Sequence, residues 1–333
     1  MKGGVPLTKH RKDTDYLFLA GRVRALERRL LTAAKLEQLL QAADVAACSQ
    51  LLSELGYEPI HDEASLQESL KQQRQAVFAD IARFMPEPAL LDVFRLKYDY
   101  HNIKTLLKDA ENGQRLLMDA GCIPAADMER QYAESGEWQF LPGEMADAAR
   151  DAAAVLAETG NAQRSDCILD RAYFAQLRKL AAESRCGYLQ DYIRAMIDAA
   201  NLRSLVRAAR LHADPGFLRQ VLFDGGSVSP DTIVTHAGSG PASLFRATAF
   251  RTAAEAGEEA VKGGSLTAFE KACDNAVLSA AGKARGIPFG VEVVLGYLAA
   301  KEAEWTAVRI IMSGRMAGMT ADAIRERLRD QYV

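Results

Sequence analysis

Apolar and polar residues follow a helical spacing in the stretch DYHNIKTLLK (99–108). Ile103, Leu106 and Leu107 lie three and four residues apart, which puts them on one face of a helix. Most of the other positions are polar or charged. The stretch therefore predicts an amphipathic helix that buries one face and leaves the other to solvent.

The same pattern recurs twice further along the chain. DAANLRSLVR (198–207) keeps the acid, the asparagine, the base and the apolar residues, whereas EWTAVRIIMS (304–313) keeps all of these except the asparagine. The matched positions are Asp99, Asp198 and Glu304; Asn102, Asn201 and Ala307; Ile103, Leu202 and Val308; Lys104, Arg203 and Arg309; Leu106, Leu205 and Ile311; and Leu107, Val206 and Met312. We expect three helices with the same buried face.

A second pattern follows each of these helices and predicts a stop, a turn and a new start. Its copies are LLMDAGCIPAADM (116–128), VLFDGGSVSPDTI (221–233) and IIMSGRMAGMTADAI (310–324). Each contains glycine, which ends helices in a left-handed conformation, and the last two continue with Ser229 or Thr320 as the N-cap of the next helix. A degenerate early copy is indicated at 22–44.

These repeats indicate units of roughly 100 residues, with partial units at the two ends of the chain that complete one another. Because this period is longer than that of solenoid repeats, each unit should have a core of its own. Partial units at both ends favour closure around an axis. We predict an all-α protein of three similar helical domains around a pseudo-threefold axis, shaped as a funnel or socket, with boundaries at 1–112, 113–218 and 219–333.

Composition and charge agree with a helical protein and exclude some partners. The chain has 333 residues, 49% of them hydrophobic, and only ten prolines. Its net charge of −3 gives no general attraction to nucleic acid. Residues 1–30 carry eight bases and three acids, a local charge of +5, and residues 111–160 carry ten acids and three bases, or −7. These segments are either solvated helix faces or docking surfaces for charged partners.

The sequence predicts no metal site, cofactor, catalytic residue or small-molecule substrate. The five cysteines form no C-x-x-C pair, which favours free thiols in a reducing compartment. Phosphate-loop, H-E-x-x-H and G-x-S-x-G motifs are absent, and GSGPAS (238–243) reads as a helix-entry turn. No signal peptide is recognisable, and the longest apolar run (293–300) is too short to span a membrane. We expect a cytoplasmic protein.

The repeated charges are the candidate partner-binding residues. Asp99 lies near the middle of its own apolar stripe, where an unpaired carboxylate is costly, and Arg95 lies one turn earlier. Arg194 lies one turn before Asp198 in the same way, and Lys301 lies three residues before Glu304. Two interpretations are open: an ion pair within each helix, or charges that line a central hollow and bind a partner. Lys104, Arg203 and Arg309 project away from the apolar stripes of their helices and are therefore freer to contact a partner. The candidates are Arg95, Asp99, Lys104, Arg194, Asp198, Arg203, Lys301, Glu304 and Arg309.

The stretch GIPFGVEVVLGYLAAKEAEWTAVRIIMSGRMAGMTADAIRERL (286–328) closely resembles the end of the C subunit of V/A-type ATPases, the counterpart of the d subunit of eukaryotic V-ATPases. KYDYHNIKTLLK (97–108), MIDAANLRSLVR (196–207) and GRVRALERRLL (21–31) are similar to the same family, so the resemblance covers nearly the whole chain. Trp305 and Lys301 depart from the residues usual in the family.

The resemblance implies a rotor subunit without a nucleotide site of its own. Such a subunit sits as a funnel between the central stalk and the proteolipid ring and transmits torque for H⁺ or Na⁺ transport. It lies on the cytoplasmic face of the membrane, held there through the complex. The main alternative is a free-standing helical scaffold that binds a partner in its hollow. An enzyme with a site at the axis would need convergent acid and base groups in a dry pocket.

Overall fold

The computed structural model describes residues 11–108 and 116–332. Within these residues every regular element is a helix, which confirms the all-α prediction. The α-helices are α1 Leu17–Glu27, α2 Ala33–Gln41, α3 Val45–Ser53, α4 Glu63–Ala82, α5 Asp92–Lys108, α6 Ala125–Ser135, α7 Gly143–Thr159, α8 Ala162–Ser184, α9 Gly187–Arg210, α10 Pro215–Gln220, α11 Pro230–Thr235, α12 Pro241–Phe245, α13 Arg251–Val261, α14 Leu266–Gly282, α15 Val291–Met316 and α16 Ala321–Arg325.

The chain divides into two compact units. The first contains residues 87–186, and the second joins residues 12–86 to the chain from 187 onward. The second unit thus combines the N-terminal part of the chain with its C-terminal half. This agrees with the expectation that the two ends complete one another, while the three predicted domain boundaries stay a prediction.

In the first unit the repeat-bearing helix α5 packs on α8, and α8 packs on α7. Helix α7 presents the small buried side chains of Ala149 and Ala152, which allow a close approach to α8. Helix α5 buries Ile103 and Leu106 of the predicted apolar stripe. The stripe therefore faces the core, as its spacing predicts.

The second unit contains the other two repeat-bearing helices, and each packs on a neighbour. Helix α9 packs on α14 and α13, while α15 packs on α14 and on the N-terminal helices α1, α3 and α4. The pair α9 and α14 corresponds in chain order to α5 and α8. For α15 the corresponding neighbour is α4, which comes from the beginning of the chain.

The predicted helix starts are confirmed. Ser229 Oγ accepts a hydrogen bond from the N–H of Thr232 at the start of α11, and Thr320 Oγ1 accepts one from Ala323 at the start of α16. Gly318, with φ of 70°, follows the end of α15 in the left-handed conformation that glycine adopts without strain. The third copy of the turn pattern, however, begins inside α15, which continues to Met316.

Candidate partner-binding residues

Asp99, one of the candidates, is fully buried on α5 and holds the loop that follows the helix. Its carboxylate accepts hydrogen bonds from the backbone N–H groups of Cys122 at 2.9 Å and Ile123 at 3.1 Å. The predicted partner, Arg95, donates instead to the carbonyl oxygen of Gly121. The prediction of an ion pair between Arg95 and Asp99 is therefore wrong, because backbone donors in the loop satisfy the acid.

Gly121 makes this close approach possible. A Cβ atom at this position would lie well inside contact distance of the Asp99 carboxylate. A side chain at position 121 would force the loop away from the two N–H donors. The carboxylate is thus the reason for this glycine. The left-handed conformation that the turn pattern predicts for it is not found at Gly121, which lies thirteen residues after the end of α5.

Asp198 on α9 makes the equivalent contact in the second unit. Its carboxylate accepts hydrogen bonds from the N–H and the hydroxyl of Ser227, both at 2.6 Å, and a Cβ at Gly226 would again collide with it. The predicted partner, Arg194, pairs with Asp191 at 2.6 Å. We call this arrangement, in which a buried acid accepts from the loop before the next helix, the acid–loop contact.

The repeated asparagines hold the same loops a few residues earlier. Asn102 donates to the carbonyl of Met118 at 2.9 Å and accepts from its N–H at 2.8 Å. Asn201 forms the same pair of bonds with Phe223, both at 2.8 Å. Each amide satisfies both backbone groups of a residue that lies outside any helix, so the loop is fixed at two points.

In the third copy the chain's N-terminal segment supplies the loop. Glu304 on α15 accepts hydrogen bonds from the N–H of Leu31 and the hydroxyl of Tyr57, both at 2.8 Å. Leu31 precedes Thr32, the N-cap of α2, just as Ile123 precedes the N-cap of α6. The degenerate copy at 22–44 therefore provides the partner of the third acid.

The third copy lacks the asparagine and the glycine of the other two, and its contacts account for both differences. The residue that corresponds to Met118 is Leu26, which lies inside α1 and has helical backbone partners, so no asparagine is needed at Ala307. The residue that corresponds to Gly121 is Arg29. Glutamate is one methylene longer than aspartate, and we infer that Glu304 therefore reaches the loop without a glycine.

The predicted contact between Lys301 and Glu304 is confirmed. Lys301 Nζ pairs with the Glu304 carboxylate, and both side chains are buried. The ammonium group also lies 5.8 Å from the Tyr57 ring centre and 5.7 Å from that of Trp305. Burial and the nearby carboxylate of Glu304 raise the pKa of Tyr57 well above its usual value, so its hydroxyl remains a donor.

Two of the repeated bases pair with acids of the neighbouring helix. Lys104 contacts Asp170 of α8 at 2.5 Å. Arg203 contacts Glu270 and Asp274 of α14, each at 2.5 Å. These bases are partly exposed, at 22% of their side-chain surface, so they are less free than their projection from the stripe suggests.

Arg309, the third base, is half-buried on α15. Of the nine candidates, the three acids and Lys301 are buried, Arg194 is exposed, and the other four are half-buried. Whether any of the nine contacts a partner stays a prediction. What the structure shows is that most of them hold their own chain together.

Burial changes the proton affinity of two of the acids. It raises the pKa of Asp99 to about 6, although the N–H donors of Cys122 and Ile123 act in the opposite direction. Burial also raises the pKa of Asp198, and the hydrogen bonds from Ser227 oppose it. These carboxylates therefore resist ionisation more strongly than exposed ones do.

Two kinds of feature are absent from the part of the chain that the structure describes. No group of three or more His, Cys, Asp and Glu side chains there is arranged to hold a metal ion. Among the same residues, no helix combines the length and the hydrophobicity that crossing a membrane requires.

Comparison with known proteins identifies the family. The family model described as ATP synthase (C/AC39) subunit matches residues 19–327. The chain belongs to this family. It is therefore part of a V/A-type rotary ATPase, and within such complexes the C subunit is structural rather than catalytic.

Curated relatives extend the match over most of the chain. The C subunit of the V-type sodium ATPase of Enterococcus hirae is 24% identical over 325 residues, covering 96% of this chain and 99% of the relative. The C subunit of the V-type ATP synthase of Thermus thermophilus is 27% identical, and the match covers 91% of this chain and 94% of the relative. The C subunit of the A-type ATP synthase of Methanocaldococcus jannaschii is 25% identical, and the match covers 94% of this chain and 86% of the relative.

Proposed function

We propose that this chain is a non-catalytic rotor subunit that forms a socket between the central stalk and the proteolipid ring. In this role it transmits torque for ATP-coupled transport of H⁺ or Na⁺. The observation that carries the proposal is the match to the C subunits of V/A-type ATPases over residues 19–327. One relative with nearly full coverage is named as part of a sodium ATPase, which supports ion transport as the work of the complex.

The acid–loop contacts support a torque-bearing body. Asp99, Asp198 and Glu304 each join a long helix to a segment outside that helix, through charge-assisted hydrogen bonds shielded from water. Such bonds are stronger than neutral ones, and an unpaired buried acid is costly, so the loops resist displacement. A body that transmits torque needs this resistance where its helices end.

The three acid–loop contacts also support three similar helical domains around a pseudo-threefold axis. In this proposal the N-terminal segment, which the predicted boundaries place in 1–112, also completes the third domain through the contacts of Leu31 and Tyr57 with Glu304. Lys104, Arg203 and Arg309 occupy corresponding positions on their helices and would present bases to the stalk in a central recess. Because Lys104 and Arg203 already pair with acids of their own chain, their contribution to stalk binding should be modest.

The proposed rotor subunit has no nucleotide site of its own, since its sequence contains no phosphate-binding loop. It would lie on the cytoplasmic face of the membrane as a peripheral part of the complex. Calorimetric titration of the purified chain with Mg-ATP tests the first statement. We expect no heat of binding, and a stoichiometric isotherm would contradict it.

The decisive experiment for the role is recovery of the partners. An affinity-tagged full-length chain is expressed in its own host, the membranes are solubilised in mild detergent, and the recovered proteins are identified by mass spectrometry. We expect stalk and proteolipid subunits in constant ratio to the tagged chain. Recovery of the tagged chain with unrelated soluble proteins alone would favour a free-standing scaffold.

A further inference from the structure

Helix α1 has apolar side chains on two opposite faces. Leu19, Ala20 and Val23 are buried within the second unit, whereas Leu17 and Phe18 are 51% and 66% exposed. A surface helix normally has one apolar face, and a helix that is apolar all round is normally buried. The second face is therefore suited to a partner outside this chain.

The exposed face of α1 lines an open groove of about 610 Å³. A Cβ added at Gly21 would meet nothing within 4 Å, so the floor of the groove is open above the backbone. Gly21 and Ala25 lie one turn apart and are both exposed. The groove is bordered by the apolar Leu17 and Phe18, the small Gly21 and Ala25, and the basic Arg22 and Arg29.

Contacts behind the groove hold part of its wall in place. Arg22 forms two hydrogen bonds with Asp80 at the end of α4, at 3.1 and 2.6 Å. The Phe18 ring lies 5.1 Å from the ring of Phe84, and the Arg22 guanidinium lies 5.5 Å from the same ring. The anchor side chain Phe18 is thus preorganised, which lowers the entropic cost of binding.

We propose that this groove, formed by Leu17, Phe18, Gly21 and Ala25 and bordered by Arg22 and Arg29, binds an amphipathic helix of another subunit of the ATPase. The helix would carry an apolar face flanked by carboxylates. This inference rests on the proposed function, since it takes the partner to be a subunit of the complex. It assigns that partner to a surface that includes none of the nine repeated charges.

The shape and the charge of the groove select this occupant. Small residues one turn apart allow a helix backbone to approach closely, while Leu17 and Phe18 offer apolar anchors at one end. Arg29, in the turn after α1, and Arg22, which also pairs with Asp80, both place positive charge at the border of the groove and would attract acids on a docked helix. A second copy of the chain would bring like charges together, and a flat lipid surface would leave the groove unfilled.

Hydroxyl-radical footprinting of the full-length chain, free and in the purified complex, tests the proposal. The probe measures oxidation of Phe18 and Leu17, with Leu211, which is 72% exposed in the same unit, as the reference. We expect Phe18 and Leu17 to be protected severalfold in the complex relative to Leu211. The same measurement is made with the free chain on vesicles of phosphatidylglycerol and over a range of protein concentrations.

Two matched pairs of variants test the energetics. Phe18→Gln should lower recovery of the partner subunits about tenfold, the effect of losing an interface anchor, whereas Leu211→Gln should leave recovery unchanged. Arg29→Glu should weaken recovery at low salt and make it less sensitive to added salt. Arg251→Glu, at a side chain with 68% exposure, is the control for charge reversal. Circular dichroism checks that each variant is folded.

Each outcome supports or overturns the proposal. If the wild-type chain recovers its partner subunits while Phe18 and Leu17 stay as reactive as in the free chain, the groove proposal is wrong and the proposed function stands. Protection by vesicles alone would assign the groove to lipid, and protection that grows with the concentration of the free chain would assign it to a second copy. If the wild-type chain recovers no other part of the ATPase, the proposed function and the groove proposal both fall.

Discussion

Glu304, on the long helix α15, accepts a hydrogen bond from the backbone N–H of Leu31, which lies 273 residues earlier in the chain. This bond ties the N-terminal segment to the last repeat-bearing helix. It corresponds to the bonds from Cys122 to Asp99 and from Ser227 to Asp198, which join segments much closer in sequence. The third copy of the repeat is thus completed by the beginning of the chain.

Loss of the Glu304 charge should destabilise the protein. In Glu304→Gln the buried ammonium group of Lys301 loses its carboxylate, and we expect a loss of about 3 kcal/mol in the free energy of unfolding. Urea denaturation followed by circular dichroism measures this, with Glu326→Gln, an exposed acid, as the control. A loss no larger than that of the control would show that the Glu304 contact does not hold the two ends together.

Substitution of Gly121 should also destabilise the protein, through a clash. In Gly121→Ala the new methyl group would overlap the Asp99 carboxylate, and we expect a loss of about 2 kcal/mol or more. Gly226→Ala should behave alike, because the equivalent atom meets Asp198. Gly143→Ala is the control, since a Cβ there meets nothing within 4 Å. Equal stability of all three variants would contradict the requirement for glycine beside the acids.

The raised pKa of Asp99 predicts a pH dependence of stability. Burial raises the pKa of the folded state to about 6 from 3.8, so the folded protein binds the proton more tightly than the unfolded chain does. The protonated Asp99 carboxyl therefore adds to the free energy of unfolding, by at most about 3 kcal/mol. This contribution is fully present below about pH 4 and is lost as the pH rises through 6. Titration of the carboxyl carbon by NMR gives the pKa directly. A midpoint near 4 would rule out this effect.

A second measurement isolates the same group. The difference in stability between the wild type and Asp99→Ala should favour the wild type more at pH 5 than at pH 7. The control is Asp127→Ala, whose exposed carboxylate pairs with Arg130 on the surface of α6. A difference that does not change with pH for Asp99→Ala would contradict the assignment.

Removal of the paired bases should have a small effect on stability. Charge reversal of Lys104 or Arg203 would place two acids against each other, so the neutral variants Lys104→Gln and Arg203→Gln test partner binding more cleanly. Each partly exposed pair is worth less than about 1 kcal/mol. We expect the double variant to bind the purified stalk subunits more weakly at low salt, measured by calorimetry. Lys179→Gln, which removes an exposed pair with Glu144, is the control, and equal affinities would exclude these bases from the stalk site.

The spacing of apolar residues was sufficient to predict the three long helices, and the N-cap residues of the turn pattern predicted the helix starts at Ser229 and Thr320. The partners of the buried acids could not be predicted in the same way, because spacing within a helix reveals only neighbours such as Arg95. The donors to Asp99 are backbone N–H groups 23 and 24 residues away, which leave no side-chain pattern. Gly121 was the available signal, since a glycine recurs in the loop after each buried aspartate.

The ion pairs between helices could not be predicted from the sequence either, for a different reason. Lys104 and Asp170 are separated by 66 residues, and their contact depends on which face of α8 packs against α5. Many acids in the segment could have taken that place. The confirmed contact between Lys301 and Glu304 was predictable because both residues lie on one turn of one helix.

Observation of rotation tests the central claim most directly. The intact complex is immobilised through its catalytic subunits, and a bead is attached to this chain through a cysteine introduced at the exposed position 211, as Leu211→Cys. On addition of ATP we expect the bead to turn in one direction at the rate of the central stalk. A stalk that turns under ATP while the bead on this chain stays still would contradict a rotor subunit.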